Sequence, residues 1–375
     1  MKNSTLFLFT NEFPFGLKSE TFLDREIFFL AEKFNKVIII NKISAYDTKR
    51  EIPKNCIINQ LKKHEKTSKA SKLIICLLNS KLFIDVLNIE IKDKGFKKVL
   101  SKIKHLIKLV YSDLILKNEI KEIINRNKSE HTVFYTYWCF NYIIALSKIK
   151  NVDIITRIHG YDLYDDQWDY YGVPLINYRL EKVKLICPIS ENGEKYLKIN
   201  YPNYFNKIVT HKLGISIQTD NLLNDENERK YWHIVSCSSI IELKRLDLII
   251  EMLKNLEAEI KWTHFGDGPL EEQIQRLAKK LPLNIKSDFK GHVSNAEIIN
   301  FYMKNKVDLF ISISQSEGLP VSMMEAQSFG IPIIAKNVGG IGEIVSEKNT
   351  GFFFDENNVS ENNSKILIKA LNYNF

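Results

Sequence analysis

Two carboxylates, Glu317 and Glu325, stand on either side of a predicted loop-to-helix junction. The apolar run 307–313 predicts a strand, Glu317 falls in the loop after it, and Glu325 lies inside the helix that follows. Pro320 suits the first turn of that helix. Carboxylates at this separation could hold hydroxyls at two places on one ligand. The alternative is that Glu317 only complements the helix dipole and Glu325 is solvated.

Backbone amides and a lysine could supply the positive side of the same site. The amides of Gly318 and Leu319, at the predicted helix start, favour an anion. Lys244 follows the predicted strand 232–237 and stands where another helix is expected to begin. A lysine there is unfavourable unless an anion compensates it. A diphosphate would suit both features.

Further candidates lie in loops that follow predicted strands: Gly16, His159, Gly266, Asp267, Gly291 and His292. Glycine after a strand lets the backbone come close to a flat base. A Gly-Asp-Gly-Pro turn is common without a ligand, and a lone histidine is more often structural. These positions therefore indicate a site only in combination with the carboxylates and the lysine.

Short apolar runs alternate along the chain with segments of 3.6-residue periodicity, which predicts βα units and parallel sheets. In the first half the predicted strands are 5–10, 36–41, 132–136, 153–158 and 184–189, with helices at 20–34, in the basic region and at 191–199. The second series has strands 232–237, 260–265, 284–289, 307–313 and 332–335, with helices 244–256, 270–279, 295–303, 319–329 and one from 361. Ligands of such sheets bind at the carboxyl ends of the strands.

The length of 375 residues fits two domains better than one core. Residues 218–230 are polar, aperiodic and poor in apolar side chains, so they predict a linker. The expected organisation is an amino-terminal acceptor-side domain at 1–217 and a carboxyl-terminal nucleotide-sugar-binding domain at 231–375. Each is expected to be a Rossmann-like, doubly wound α/β domain, and the two are expected to face a cleft.

The carboxylate segment resembles glycosyltransferase family 4, whose signature is Ser-x-x-Glu-Gly-Leu-Pro-x-x-x-x-Glu-Ala. The matching residues are Ser314, Glu317, Gly318, Leu319, Pro320, Glu325 and Ala326. The resemblance implies the GT-B fold, with Glu317 on sugar hydroxyls of the donor and Glu325 on the ribose. It also implies that Lys244 binds phosphate and that His159, in a His-Gly-Tyr-Asp context, lies beside the donor sugar.

The resemblance therefore implies His159, Glu317 and Lys244 as catalytic residues. The implied donor-binding residues are Gly16, Ser239, Arg245, Gly266, Asp267, His292, Gly318, Leu319, Pro320 and Glu325. Two positions depart from the family. Ser239 replaces the usual phosphate-binding arginine, for which Arg245 is a candidate substitute, and Gly16 stands where many relatives have two glycines. The runs 19–26 and 135–138 resemble a subgroup that makes bacterial surface polysaccharides.

The implied function is transfer of a hexose, with retention, from a nucleotide-diphosphate donor to a glycan or lipid-linked acceptor. The expected product is capsule, O-antigen or exopolysaccharide, and a UDP-sugar is favoured over a GDP-sugar as donor. No cofactor and no metal are expected, because the chain has no suitable Asp-x-Asp motif. A nucleotide-sugar epimerase of the same architecture and a catalytically silent member of an assembly complex are alternatives. A dinucleotide oxidoreductase is disfavoured, because no Gly-x-Gly-x-x-Gly opens either domain.

The net charge of +8 is concentrated in one region, residues 91–128, which hold eleven Lys or Arg against four Asp or Glu. Apolar residues at helical spacing between lysines predict a basic amphipathic helix that binds an anionic membrane surface. A solvated helix with its apolar side in the core is the alternative. Nucleic acid is disfavoured because no DNA- or RNA-binding module accompanies the charge.

The compartment is inferred from what the sequence lacks. The five cysteines are scattered singly, which favours neither zinc nor disulfides. No apolar stretch is long enough to span a bilayer, and the opening run 2–10 predicts a first strand instead of a signal peptide. The expected location is the cytoplasm, or the inner face of the plasma membrane as a peripheral protein.

Overall fold

The structure, a computed structural model, describes residues 3–16, 20–42, 48–62, 75, 78–165, 168, 171–215, 230–355 and 361–375. The chain divides into two compact units, Met1–Lys212 and Leu213–Phe375. The predicted linker, 218–230, lies outside the described residues except at its last position. The domain boundaries given above therefore remain predictions.

The amino-terminal unit contains a parallel sheet of six strands among the described residues. These are β1 (Ser4–Phe9), β2 (Lys36–Lys42), β3 (Cys56–Leu61), β4 (His131–Thr136), β5 (Ile154–Ile158) and β6 (Leu185–Pro188). Their order is β3-β2-β1-β4-β5-β6, and every pairing is parallel. All six residues of β1 are buried, as expected for a central strand covered on both faces.

Helices connect these strands and cover the sheet. They are α1 (Leu23–Lys33), α2 (Ser80–Lys94), α3 (Phe96–Leu114), α4 (Lys117–Asn127), α5 (Ile143–Leu146), α6 (Ile176–Lys182) and α7 (Glu191–Asn200). The basic region thus forms the end of α2, all of α3 and all of α4. The side chain of Ser190 caps α7 by accepting a hydrogen bond from the Gly193 amide.

The carboxyl-terminal unit repeats the arrangement. Its strands are β7 (Trp232–Cys237), β8 (Ile260–Phe265), β9 (Ile285–Phe289), β10 (Leu309–Ser312), β11 (Ile333–Ala335) and β12 (Gly351–Phe353), in the order β12-β11-β10-β7-β8-β9. Its helices are α8 (Leu246–Leu253), α9 (Glu271–Ala278), α10 (Asn295–Lys304), α11 (Val321–Gln327) and α12 (Glu361–Leu371). Apolar clusters lie on both faces of the sheet, one around Trp262 and the other around Phe310.

Both sheets have the doubly wound strand order, so the predicted fold class is confirmed. In such a sheet the order reverses between the first and fourth strands, and ligands bind outside the carboxyl ends at that point. In the carboxyl-terminal unit the reversal lies between β7 and β10, which pair directly. The loop after β7 carries Lys244 and the loop after β10 carries Glu317. The topology therefore places two of the three predicted catalytic residues at the reversal point of one sheet.

Candidate functional site

The loops after β7 and β10 bring Lys244 and Glu317 into direct contact. Lys244 Nζ lies 2.6 Å from Glu317 Oε1, with 18% and 14% of the two side chains exposed. The loops are also joined through their backbones, because the Gln315 amide donates to the carbonyl of Leu243 over 2.9 Å. An ammonium and a carboxylate are thus fixed side by side, at the edge of the sheet where a ligand is expected.

Lys244 does not begin an α-helix, contrary to the sequence prediction. It ends a short 3-10 turn, Glu242–Lys244, and α8 starts at Leu246. Arg245 between them has φ 49°, a left-handed conformation that costs a side-chain-bearing residue energy. The charge that compensates Lys244 is therefore the carboxylate of Glu317.

The backbone around Glu317 is supported by a turn after β11. Gly339 has φ 56°, and a Cβ there would lie 1.7 Å from the carbonyl oxygen of Glu317. The amide of Gly340 donates to the Gly318 carbonyl over 2.9 Å. Glycine at 339 is therefore required for the close approach that fixes this loop. The helix that follows, α11, begins at Val321, so Gly318, Leu319 and Pro320 belong to the loop.

Glu325 projects from α11 toward α10 and the end of β7. Its Oε1 accepts a hydrogen bond of 2.6 Å from Nδ2 of Asn295, the first residue of α10. Burial and the nearby Glu325 carboxylate raise the pKa of the Cys237 thiol to about 12, which places Glu325 beside the last residue of β7. Both predicted carboxylates therefore lie near the carboxyl end of β7.

The glycine turns after β8 and β9 pack against each other. The Gly266 amide donates to the Gly291 carbonyl over 2.8 Å, and a Cβ on Gly266 would lie 1.9 Å from the Ser238 carbonyl oxygen. Beneath them, His264 is buried and its Nδ1 lies 2.8 Å from Ser236 Oγ. Burial lowers the pKa of His264 to about 4, so its ring is neutral. His292, just beyond Gly291, is exposed.

The remaining donor-binding candidates of this unit are Arg245, Asp267 and Ser239. Arg245 pairs with Asp247, with Nη2 2.9 Å from Oδ2, and lines a cavity of about 540 Å³. The Asp267 carbonyl accepts the Ile240 amide over 2.8 Å. Ser239 is exposed. Their contacts with a donor stay predictions.

In the amino-terminal unit, His159 follows β5 and is enclosed by aromatic rings. Its centroid lies 4.4 Å from that of Trp138, 4.9 Å from Tyr137 and 6.3 Å from Phe22. Both ring nitrogens are buried and form no hydrogen bond. Burial, together with the nearby Arg157 guanidinium, holds its pKa well below the usual value. His159 is therefore a neutral ring in contact with an aromatic cluster.

A buried carboxylate, Asp162, fixes the backbone beside His159. It accepts the amides of His159 at 2.5 Å and of Cys139 at 2.7 Å, joining the ends of β5 and β4. Its pKa is raised to about 7 because burial disfavours the charged form. In the first loop, Gly16 donates its amide to the Thr48 carbonyl and accepts from Arg50 Nε.

A second carboxylate, Glu20, organises the loop after β1 and was not among the predicted residues. It accepts the amides of Asn11, Glu12 and Phe13 at 2.8–2.9 Å. It also accepts the indole N–H of Trp138 at 2.8 Å. Glu20 itself has φ 53°. The run 19–26, which contains Glu20, resembles the surface-polysaccharide subgroup. These hydrogen bonds give one of its residues a physical role.

Within the part of the chain that the structure describes, no group of three or more His, Cys, Asp or Glu is placed to hold a metal ion. In the same residues, no helix combines the length and the apolar character that crossing a bilayer requires.

Comparison with known families bears on the carboxyl-terminal unit. The model of the family described as Glycosyl transferases group 1 matches residues 219–372. Residues 219–372 therefore match the group 1 glycosyl transferases, and the carboxyl-terminal unit that contains them is called the group 1 unit below. This match covers the loops that carry Lys244 and Glu317, the carboxylate Glu325 and the glycine turns after β8 and β9.

One curated relative of the chain is the O-antigen biosynthesis glycosyltransferase WclY of Escherichia coli. It is 28% identical over 199 residues, which are 49% of this chain and 54% of WclY. Matches to curated relatives span between 23% and 65% of those proteins' own lengths. The chain thus matches less than two thirds of the length of each of these relatives.

Two solved structures resemble nearly the whole chain. The lipopolysaccharide outer core galactosyltransferase WaaB is 16% identical with a TM-score of 0.65, covering 98% of this chain and 90% of WaaB. Anabaena HepE in complex with UDP and glucose is 14% identical with a TM-score of 0.62, covering 98% of this chain and 88% of HepE. These likenesses show that the group 1 unit and the unit before it together have the GT-B fold.

Proposed function

We propose that this protein is a retaining glycosyltransferase that moves a sugar from a nucleotide-diphosphate donor to a glycan or lipid-linked acceptor. The observation that carries the proposal is the Lys244–Glu317 pair at the reversal point of the group 1 sheet. A donor of this kind has one end rich in hydroxyls and a doubly charged phosphate link. A fixed carboxylate beside a fixed ammonium matches both features.

Cleavage of the sugar–phosphate bond leaves positive charge on the anomeric carbon and negative charge on the diphosphate, and catalysis requires both to be stabilised. Lys244 is assigned to the diphosphate and Glu317 to donor sugar hydroxyls. The acceptor oxygen attacks the face from which the diphosphate leaves, and the departing phosphate oxygen takes the acceptor proton. This route conserves configuration without a covalent enzyme intermediate. His159 is assigned a place beside the donor sugar by the family resemblance alone.

The relatives support one class of donor and one class of product. HepE binds UDP and glucose, WaaB belongs to lipopolysaccharide synthesis, and WclY to O-antigen synthesis. We infer a UDP-sugar donor and a surface polysaccharide product, made in the cytoplasm. Because Lys244 carries the phosphate charge in this proposal, turnover should need no divalent metal.

Incubation with radiolabelled UDP-glucose, UDP-galactose, UDP-N-acetylglucosamine and GDP-mannose tests the proposal. The expected result is hydrolysis of one donor, unaffected by EDTA, and transfer when the matching acceptor is added. Conversion of a donor into its epimer would instead support the epimerase alternative. If no donor is bound, hydrolysed or transferred by the wild-type protein, the proposal is wrong.

We also propose that α3 binds an anionic membrane surface. Its apolar side packs in the core through Val99, Leu106 and Val110, as the solvated-helix alternative requires. Yet its outer side also carries apolar groups, since Phe96 is 63% and Leu100 55% exposed. α3 also carries five lysines. Lysines around exposed apolar side chains favour attachment to anionic lipid.

Co-sedimentation with vesicles tests this surface. Vesicles of phosphatidylglycerol and phosphatidylcholine should bind the protein, and pure phosphatidylcholine should not. Replacing Phe96 and Leu100 with serine should abolish binding without lowering donor hydrolysis. Equal binding to both vesicle types would contradict the proposal.

A further inference from the structure

The amino end of α10 is built to place a side-chain donor against Glu325. Ser294 accepts the Glu297 amide, and the Glu297 carboxylate accepts the Ser294 amide at 2.8 Å, which completes a capping box. The box fixes where α10 begins, and Asn295 is its first residue. Because the start of the helix is fixed, the direction of the Asn295 Cα–Cβ bond is fixed as well.

The side chain of Asn295 in α10 contacts the neighbouring helix α11. Its Nδ2 donates to Glu325 Oε1 at 2.6 Å, and the two residues are 30 positions apart in the sequence. Glu325 is buried, so its carboxylate needs hydrogen-bond donors from the protein to replace its lost hydration. A carboxylate that accepts a hydrogen bond from a neighbouring helix cannot rotate freely about its Cγ–Cδ bond. The Asn295 amide therefore occupies one acceptor direction of Glu325 Oε1 and restrains the carboxylate.

The segment that leads to Asn295 also forms one of the glycine turns. Gly291 has φ 64° and open space where a Cβ would lie, and its carbonyl accepts the Gly266 amide. Asn295 follows Gly291 by four positions. The short segment 291–295 therefore begins at a turn assigned to the base. It ends at Asn295, which contacts the carboxylate assigned to the ribose.

We propose that Asn295 is a positioning residue that orients Glu325 for the ribose hydroxyls and so determines selection of ribonucleotides over deoxyribonucleotides. This inference rests on the proposed function, since it presupposes a nucleoside diphosphate in the group 1 unit. Asn295 has no assigned role in the family signature, and its action on the nucleotide passes entirely through Glu325.

The test is binding of UDP, 2′-deoxy-UDP and 3′-deoxy-UDP to the full-length protein by isothermal titration calorimetry. Wild type should prefer UDP to at least one deoxy analogue. Asn295→Ala should weaken UDP binding by about tenfold or more, the change expected for loss of one hydrogen bond to a charged group. It should change binding of the disfavoured analogue much less, so that the preference disappears.

Asn295→Asp separates positioning from helix stability. Aspartate suits the first turn of a helix, which offsets part of its repulsion from the Glu325 carboxylate, so a thermal melt should show that the variant stays folded. It removes the donor and adds a negative charge beside Glu325, so it should lose the preference for UDP at least as completely as Asn295→Ala. A merely structural role predicts the reverse, with Asn295→Asp binding UDP as wild type does.

Two further variants complete the test. Asn305→Ala removes the same side chain at the other end of α10, where Nδ2 donates to the Phe301 carbonyl, and should retain the UDP preference. Adding Asn295→Ala to Glu325→Gln should cause no further loss. A wild-type-like UDP preference in Asn295→Ala, or equal loss of all three ligands, would overturn the inference. Failure of wild type to bind UDP would instead reject the proposed donor itself, and the inference with it.

Discussion

Replacing Lys244 with methionine should affect stability and turnover by different amounts. The substitution keeps an unbranched side chain and removes the ammonium. Glu317 would then hold a largely buried carboxylate without the partner that now lies 2.6 Å away. Hydrogen bonds to charged groups contribute about 1.5–3 kcal/mol, so we expect a loss of about 2 kcal/mol in unfolding free energy. Removing one electrostatic stabiliser of a transition state costs about 3–4 kcal/mol, so turnover should fall by about 10²–10³-fold.

The double variant Lys244→Met, Glu317→Gln distinguishes the two effects. A neutral pair no longer leaves a charge buried alone, so unfolding free energy should recover by about 1 kcal/mol relative to Lys244→Met. Turnover should stay at or below the level of the single variant, because both assigned donor contacts are then altered. Recovery of stability without recovery of activity would separate the structural part of the ion pair from its chemical part.

Chemical unfolding, followed by fluorescence, gives the stability, and release of UDP from the accepted donor gives the turnover. Lys254→Met is the matched control. Lys254 lies 2.6 Å from Glu251 in the same unit, but 32% and 49% of these side chains are exposed. An exposed pair contributes about 0.2–1 kcal/mol, so this variant should remain close to wild type in both measurements. Turnover of Lys244→Met equal to that of the control would refute the phosphate role.

Three other predictions address the loops and the buried histidine. Gly339→Ala, whose Cβ would lie 1.7 Å from the Glu317 carbonyl oxygen, should lower donor turnover more than tenfold, whereas Gly95→Ala, also at positive φ but with nothing within 4 Å, should keep it. Glu20→Gln turns an amide donor toward amides that now donate to a carboxylate, so thermal unfolding should show a loss of about 1–3 kcal/mol, and an unchanged melting temperature would contradict this role. His264, with a pKa near 4, must stay neutral in the fold, so acidification from pH 6.5 toward 4 favours the unfolded state, which binds the proton. His264→Gln should reduce the pH slope of unfolding free energy there, by at most about 1.4 kcal/mol per pH unit, and an unaltered slope would show that His264 does not titrate on unfolding.

The central strands could be predicted from sequence and two edge strands could not. In β1 the apolar run 6–9 is continuous, because both faces of a central strand are buried. β3, with the sequence CIINQL, has polar residues between partly exposed apolar ones. β12 has only three residues. Edge strands need little apolar sequence, so hydrophobic periodicity alone does not reveal them.

The same distinction holds for the candidate site. Glu317 and Glu325 could be found because their spacing falls within one strand–loop–helix segment. Glu20 could not, because its role is visible only in a hydrogen bond to Trp138, 118 positions away. Asn295 had one local signal, the Ser-x-x-Glu capping box that marks it as a first helical residue. Its partner on another helix could not be inferred from that signal.

The structure also changes the physical reason for assigning Lys244 to the diphosphate. The sequence argument required an anion because a lysine was expected at a helix start, yet α8 begins two residues later. Glu317 already compensates the ammonium in the protein itself. A diphosphate would therefore have to share Lys244 with Glu317, and two anions around one ammonium repel each other unless the carboxylate gains donors of its own. Hydroxyls of the transferred sugar are such donors. The pair is thus better matched to an intact nucleotide sugar than to a nucleotide alone, which is the discrimination that a transferase needs to bind its donor and release its product.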